Sequence, residues 1–243
     1  MKPKKIKFPD NFYWGSATSA HQVEGDNRND WSEWEIVNAS RLALEAKTKW
    51  QNWQIKKFPE MLRSGNYISG RACDHYGRFE EDFDIAKSLN HNAHRFSVEW
   101  SRVEPKKGEF DEKQIEHYQK VLKALKKRGL EPFVTLWHWT NPIWIRDIGG
   151  WENEKTVEYF TRFVGKIINK MGRNIKFWVT LNEPNVYLAN SYLLGIWPPE
   201  KKSLITTKKV YKNFAKAHKK AYWMIHEVDN KSAVGFANNI KFI

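Results

Sequence analysis

Runs of β-branched and aromatic residues alternate along this chain with segments of helical periodicity, and the alternation limits the possible folds more than any other feature. The strand-like runs fall at residues 12–17, 94–99, 132–137, 177–182 and 233–237. Between them, residues 111–128 set Ile115, Tyr118, Leu122 and Leu125 on one face, open at an N-capping Asp111 and stop at Gly129. Residues 153–171 repeat the design with Val157, Phe160, Val164 and Ile167, and residues 207–228 do so with Tyr211, Phe214, His218, Ala221 and Ile225. A shorter helix is expected over 76–89, where Phe79, Phe83 and Ala86 fall in register. The polar stretch 38–69 lacks such order and reads as an irregular excursion between the first strand and the first major helix.

Strands separated by helices point to a parallel sheet, because parallel neighbours need a long crossover and the helix covers a face of the sheet. An open doubly wound sheet and a closed barrel both satisfy that pattern. No glycine-rich phosphate or dinucleotide loop follows the first strand, which removes the main support for a nucleotide-binding sheet. Polar residues gather instead after successive strands: Gln22 and Glu24 after the first, Glu99 and Arg102 after the second, His138 after the third, Asn182 and Glu183 after the fourth. Barrels build their active sites at those carboxyl ends. The expected fold class is α/β, a (β/α)8 TIM barrel that is incomplete, with about its first five strands in a single domain over residues 1–243. Three further strand–helix units would need well over about a hundred more residues. An open five-stranded sheet leaves both outer strands unpaired on one side, so self-association through those edges is a further expectation.

At 41% hydrophobic residues the chain can bury a core, yet no apolar stretch is long enough to span a bilayer and none near the start reads as a secretion signal. A cytoplasmic location with no membrane partner is expected. The formal net charge of +13 raises nucleic acid as a partner, since lysine and arginine patches release counterions from phosphates. The lysines, however, are scattered over expected solvent faces (Lys120, Lys123, Lys126 and Lys127; Lys208, Lys209, Lys212, Lys216, Lys219 and Lys220), and only Lys2–Lys7 forms a local cluster. With no recognised module, no specific nucleic acid is expected. The single cysteine, Cys73, excludes an internal disulfide and a cysteine zinc cluster, and is expected to be a small buried side chain. His91 and His94 have a plausible metal spacing but no third ligand near them, so no metal is expected. Thirteen tryptophans offer flat apolar faces with a polar edge, surfaces that suit sugar rings.

The segment Trp178-Val179-Thr180-Leu181-Asn182-Glu183-Pro184 carries the strongest chemical signal. A buried-strand pattern ends there in an amide and a carboxylate, and the proline fixes the backbone as it leaves the strand. In a cleft, Glu183 can donate a proton to a leaving oxygen while Asn182 hydrogen-bonds a substrate hydroxyl. Position alone leaves a solvated charge or a helix N-cap equally open.

Along essentially its whole length the chain resembles glycoside hydrolase family 1. The motifs run in order: Phe8-Pro9, Phe12 to Gly25, Cys73-Asp74-His75-Tyr76, Arg95 to Arg102, Leu136-Trp137-His138-Trp139, Gly149-Gly150-Trp151 and Thr180 to Pro184. The resemblance implies a (β/α)8 barrel and a retaining, two-glutamate mechanism on terminal β-linked glucosides or galactosides, including aryl or alkyl β-glycosides, with no metal and no organic cofactor. It implies Glu183 as acid/base, Asn182 as the amide on the sugar 2-hydroxyl, Gln22 and His138 as hydrogen-bonding partners of the sugar, and Trp139 beside it. Arg95 is implied as the cation that keeps the nucleophile ionised, as opposite charges in proximity do. Glu24 and Glu99 read as supporting carboxylates. Thr140 stands where the family often has aspartate. The nucleophile itself, expected in a late Thr-Glu-Asn-Gly strand end, is absent, so the chain alone is expected to be inactive. A sugar-binding half barrel, or one completed by a partner chain, is the alternative reading, with a basic nucleic-acid-binding protein behind it.

Overall fold

The computed structural model describes residues 7–240. The expected basic cluster Lys2–Lys7 lies outside these residues except for Lys7. Five strands form one parallel sheet in chain order: β1 (Gly15–Ala17), β2 (Ala93–Ser97), β3 (Glu131–Trp137), β4 (Phe177–Asn182) and β5 (Ala233–Ala237). Each β-to-β connection passes through one of five long helices or more: α1 (Asp30–Lys49), α2 (His75–Ser88), α3 (Glu112–Lys127), α4 (Lys155–Met171) and α5 (Leu204–Val228). A parallel sheet whose neighbours follow chain order is the arc from which a (β/α)8 barrel closes. β1 pairs only with β2 and β5 only with β4, so both outer strands present an open edge among the described residues.

Alternation along the strands sorts residues between two surfaces. Val134, Leu136, Trp178 and Thr180 are buried, whereas Phe133, Phe177 and Val179 on the opposite face are half-buried. Phe133 and Phe177 stack at 4.2 Å, and Tyr13 meets both rings edge-on. The helix stripes seat as their periods require. Ile115, Tyr118, Leu122 and Leu125 of α3 are buried, as are Val157, Phe160, Val164 and Ile167 of α4. Asp111 caps α3 through the backbone N–H groups of Lys113 and Gln114. Between sheet and helices, Trp137 packs against Trp151, Tyr187 and Phe214 at ring distances of 4.9 to 5.4 Å, tying β3 to α5.

Four expectations need correction. Residues 38–69 are largely helical: α1 continues to Lys49, and a further helix (Asn52–Lys57) and two single turns follow. Ala39, Ala43 and Ala46 supply a narrow buried stripe that small side chains leave inconspicuous in sequence, and α1 starts upstream at a reciprocal cap between Asn29 and Ser32. Tyr211 is 62% exposed, because the stripe of α5 runs through Val210, Phe214, Ala217, Ala221 and Ile225 instead. Cys73 is exposed, on the turn that leads into α2. The first strand is also shorter than expected, since Phe12, Tyr13 and Trp14 precede it with at least a third of each side chain exposed.

Candidate functional site

The carboxyl end of β4 delivers Asn182 and Glu183 side by side, and the backbone there is unusual. Glu183 adopts a left-handed conformation (φ +42°), which non-glycine residues rarely hold, before Pro184 opens a single short helix (Pro184–Leu188). Two contacts, from the last residue of β5 and from Asn239 just beyond it, set it in place. Its N–H donates to the Ala237 carbonyl at 2.8 Å, and its Oε1 accepts from Asn239 Nδ2 at 3.2 Å. The charge of Glu183 also acts on Arg95: burial pulls the guanidinium below its ordinary value, and the carboxylate offsets only part of that fall.

Asn182 is the hub. Arg95 Nη2 donates to its Oδ1 at 2.5 Å, Arg95 Nε donates to Thr135 Oγ1 at 2.8 Å, and the Asn182 carbonyl accepts from Trp139 Nε1 at 3.0 Å. With Oδ1 committed to the guanidinium, the amide's Nδ2 faces His138 Nε2 at 3.0 Å and donates to it. Burial first, then the charges of Arg95 and His21, drive the His138 ring down to about 3, so the ring is neutral and its proton resides on Nδ1. That nitrogen is buried without a partner among the described residues. Trp139 is held at φ +73°, a costly conformation for a bulky residue, between Trp31 and Trp197. Gln22 accepts from Ser19 Oγ at 2.6 Å and joins His138, Trp139, Trp31 and Ser69 around a cavity of about 200 Å³.

Beneath this group lies a buried polar layer. Arg102 donates to Glu24 at 2.9 Å, and Tyr118 donates to the same carboxylate. Glu99 accepts from Thr140 and Ser101, so the hydroxyl of Thr140 neighbours a carboxylate that an aspartate at that position would repel. Burial pushes Glu24 up to about 7 against the pull of Arg102, and pushes Asp30 up to about 7 despite the Asn141 donors. It drives His94 and His117 down to about 4. Burial also lowers His21, but the bond to Glu35 overrides it and the net shift is upward.

The signs of these shifts fix a pH profile. His94, His117 and His138 stay neutral when folded and gain protons when unfolded, so their contribution is lost as pH falls from about 6.5. Glu24 and Asp30 hold protons longer when folded, so theirs is lost as pH rises towards 7. Chemical denaturation is therefore expected to find stability rising from pH 5 to a shallow maximum near pH 6.5; a continued rise from pH 6.5 to pH 8 would contradict these environments.

Of the residues expected from sequence, Arg95, His138, Trp139, Asn182 and Glu183 converge, and Gln22 lies across the cavity from His138. Glu24 and Glu99 point into the buried layer. Both His94 ring nitrogens face the hydroxyls of Ser16 and Thr18, and no group of three or more histidine, cysteine or acidic side chains suited to a metal occurs among the described residues. Sequence reading missed Thr135, Trp31, Trp197 and Asn239. Thr135 lies on β3, three residues before His138, whereas Asn239 reaches Glu183 from 56 positions away, and nothing local to these residues announces the contacts.

The sequence profile of glycosyl hydrolase family 1 matches residues 4–242. Beta-glucosidase A of Acetivibrio thermocellus is 33% identical over 239 residues, covering 98% of this chain and 50% of that protein. Beta-glucosidase A of Thermotoga maritima is 30% identical over 234 residues, covering 96% and 49%. Among solved structures, a beta-glycosidase from Pyrococcus horikoshii superposes with a TM-score of 0.81 at 35% identity, covering 97% of this chain and 49% of its own. The Thermotoga maritima beta-glucosidase in complex with deoxynojirimycin gives 0.83 at 27% identity, covering 97% and 51%. The chain thus spans about half the length of the curated relatives it matches, and its five strands correspond to an incomplete (β/α)8 barrel.

Proposed function

This chain belongs to glycosyl hydrolase family 1, and from that premise we propose that it supplies the sugar-binding and proton-donating half of a retaining β-glycosidase site. The observation that carries the proposal is Glu183 at the end of β4, beside the hydrogen-bonded set Arg95–Asn182–His138. Glu183 is the acid/base. A second carboxylate attacks the anomeric carbon while the glycosidic bond breaks, and the leaving oxygen takes the Glu183 proton. Water then attacks the glycosyl-enzyme bond and gives its proton back to Glu183. The attacking carboxylate comes from polypeptide outside this sequence, and Arg95 keeps it ionised. Asn182 holds the sugar 2-hydroxyl, Gln22 and His138 hold other hydroxyls, and Trp139 flanks the ring.

The substrates fitting this reading are terminal β-glucosides or β-galactosides with a sugar, aryl or alkyl aglycone. Deoxynojirimycin and other sugar-like molecules are bound by the Thermotoga relative, which supports a sugar of that class here. Completion by further polypeptide also has a physical motive. An apolar groove of about 340 Å³, lined by Leu181, Leu188, Tyr211, Phe214 and Phe236, lies open beside the end of β5.

The test is hydrolysis of p-nitrophenyl β-glucoside by the 243-residue chain alone and by the same chain joined to a family segment carrying the remaining strands. Negligible turnover alone and retention of anomeric configuration when joined are expected. Turnover by the isolated chain, or none from the joined protein, would refute the assignment.

A further inference from the structure

Asp30, the first residue of α1, forms the most complete polar clamp in the buried layer, and its partner sits just beyond the His138–Trp139 pair. Asp30 Oδ1 accepts the backbone N–H of Asn141 at 2.8 Å and Oδ2 accepts Asn141 Nδ2 at 2.8 Å. In return the Asp30 N–H donates to the Asn141 carbonyl at 3.0 Å. Asn141 Oδ1 is taken by Trp137 Nε1 at 3.0 Å, so every polar group of that residue is engaged. Asp30 and Asn141 are 6% and 2% exposed.

Two residues upstream, Trp139 is in its left-handed conformation, and Trp31, next to Asp30, lies nearly parallel to it (6.2 Å between rings, 20° between planes). Trp197 closes the cluster at 5.3 Å from Trp31 and 4.7 Å from Trp139. A bulky residue in that region relaxes to an ordinary conformation unless its surroundings over-determine it. Here α1 does so twice, through the Asp30 clamp on the loop and through the Trp31 face on the ring.

We infer that Asp30 is a positioning residue of the sugar site, acting through Asn141 to fix the loop that carries His138 and Trp139. The inference rests on the glycosidase reading for its functional consequence. A misplacement of even 1 Å in a binding group degrades what that group contributes, so the site depends on a carboxylate that never touches the ligand.

The chemistry of the clamp supplies its test. Asp30→Asn turns the Oδ2 acceptor into a donor facing the Asn141 amide and breaks the clamp. Exchanging both residues (D30N with N141D) restores each bond: Asn at 30 accepts the backbone N–H and donates to the new carboxylate, which still accepts from Trp137. Near-UV circular dichroism of the 243-residue chain reads the Trp31–Trp139–Trp197 cluster, and calorimetry with cellobiose reads the site at a temperature where far-UV dichroism is native. D30N is expected to weaken the near-UV signal and cellobiose binding about tenfold, and the exchanged pair to recover both. Should D30N not fold, the exchanged pair decides. Native signal and binding in a folded D30N, or no recovery in the exchanged pair through loss of either fold or signal, overturns the inference. If the unmodified chain binds no cellobiose, the sugar reading of this chain fails, and the near-UV series still tests the clamp.

Discussion

Glu183→Gln, in the chain joined to the remaining strands, is expected to lower kcat for cellobiose about a thousandfold, the usual scale of a general acid. The loss depends on the leaving group. A sugar alkoxide needs the proton as the bond breaks, whereas a dinitrophenolate leaves without it, so bond cleavage with the activated substrate is expected to keep most of its rate. Glutamine preserves the size of the side chain and an oxygen that can accept from Asn239, so the geometry at Glu183 survives the change. Equal losses for the two substrates, measured as pre-steady-state release of the leaving group, would remove Glu183 from the role of acid.

Trp137→Ala is expected to cost about 3–5 kcal/mol, the range for emptying a large aromatic site in a packed core. The side chain is 1% exposed, its ring meets Trp151, Tyr187 and Phe214, and its N–H satisfies Asn141 Oδ1. Truncation leaves both a cavity and an unpaired buried acceptor. Urea unfolding measures the effect as a lowered midpoint at unchanged slope, and a loss under about 1 kcal/mol would show that the cluster collapses around the gap.

Much of the sheet was readable because its strands announce themselves by composition and its helices by spacing. The bounds of β4 and β5 match the expectation, and the stripes of α3 and α4 are those that periodicity selects. α1 escaped because its buried face is alanine, which carries little hydrophobic contrast against lysine and threonine neighbours. Tyr211 departs from expectation for a related reason: Val210 and Tyr211 are both apolar, and only the packing partner decides which turns inward.

The site divides in the same way. Residues lying next to their strand ends, such as Asn182, Glu183 and His138, could be named from position and motif. Those that hold them could not. Asp30 and Asn141 are 111 positions apart, Glu183 and Asn239 are 56 apart, and neither pairing leaves a local pattern.

The two bonds that Glu183 makes to Ala237 and Asn239 bear on where such a barrel can be divided. Eight strands suggest a cut into equal halves of four, but that cut would fall between Glu183 and its own support. During synthesis Glu183 leaves the ribosome with β4, and the partners of these two bonds emerge only with the next helix and strand, more than fifty residues later. A piece that keeps both contacts to Glu183 is therefore five strands long, one strand beyond the geometric middle of the barrel.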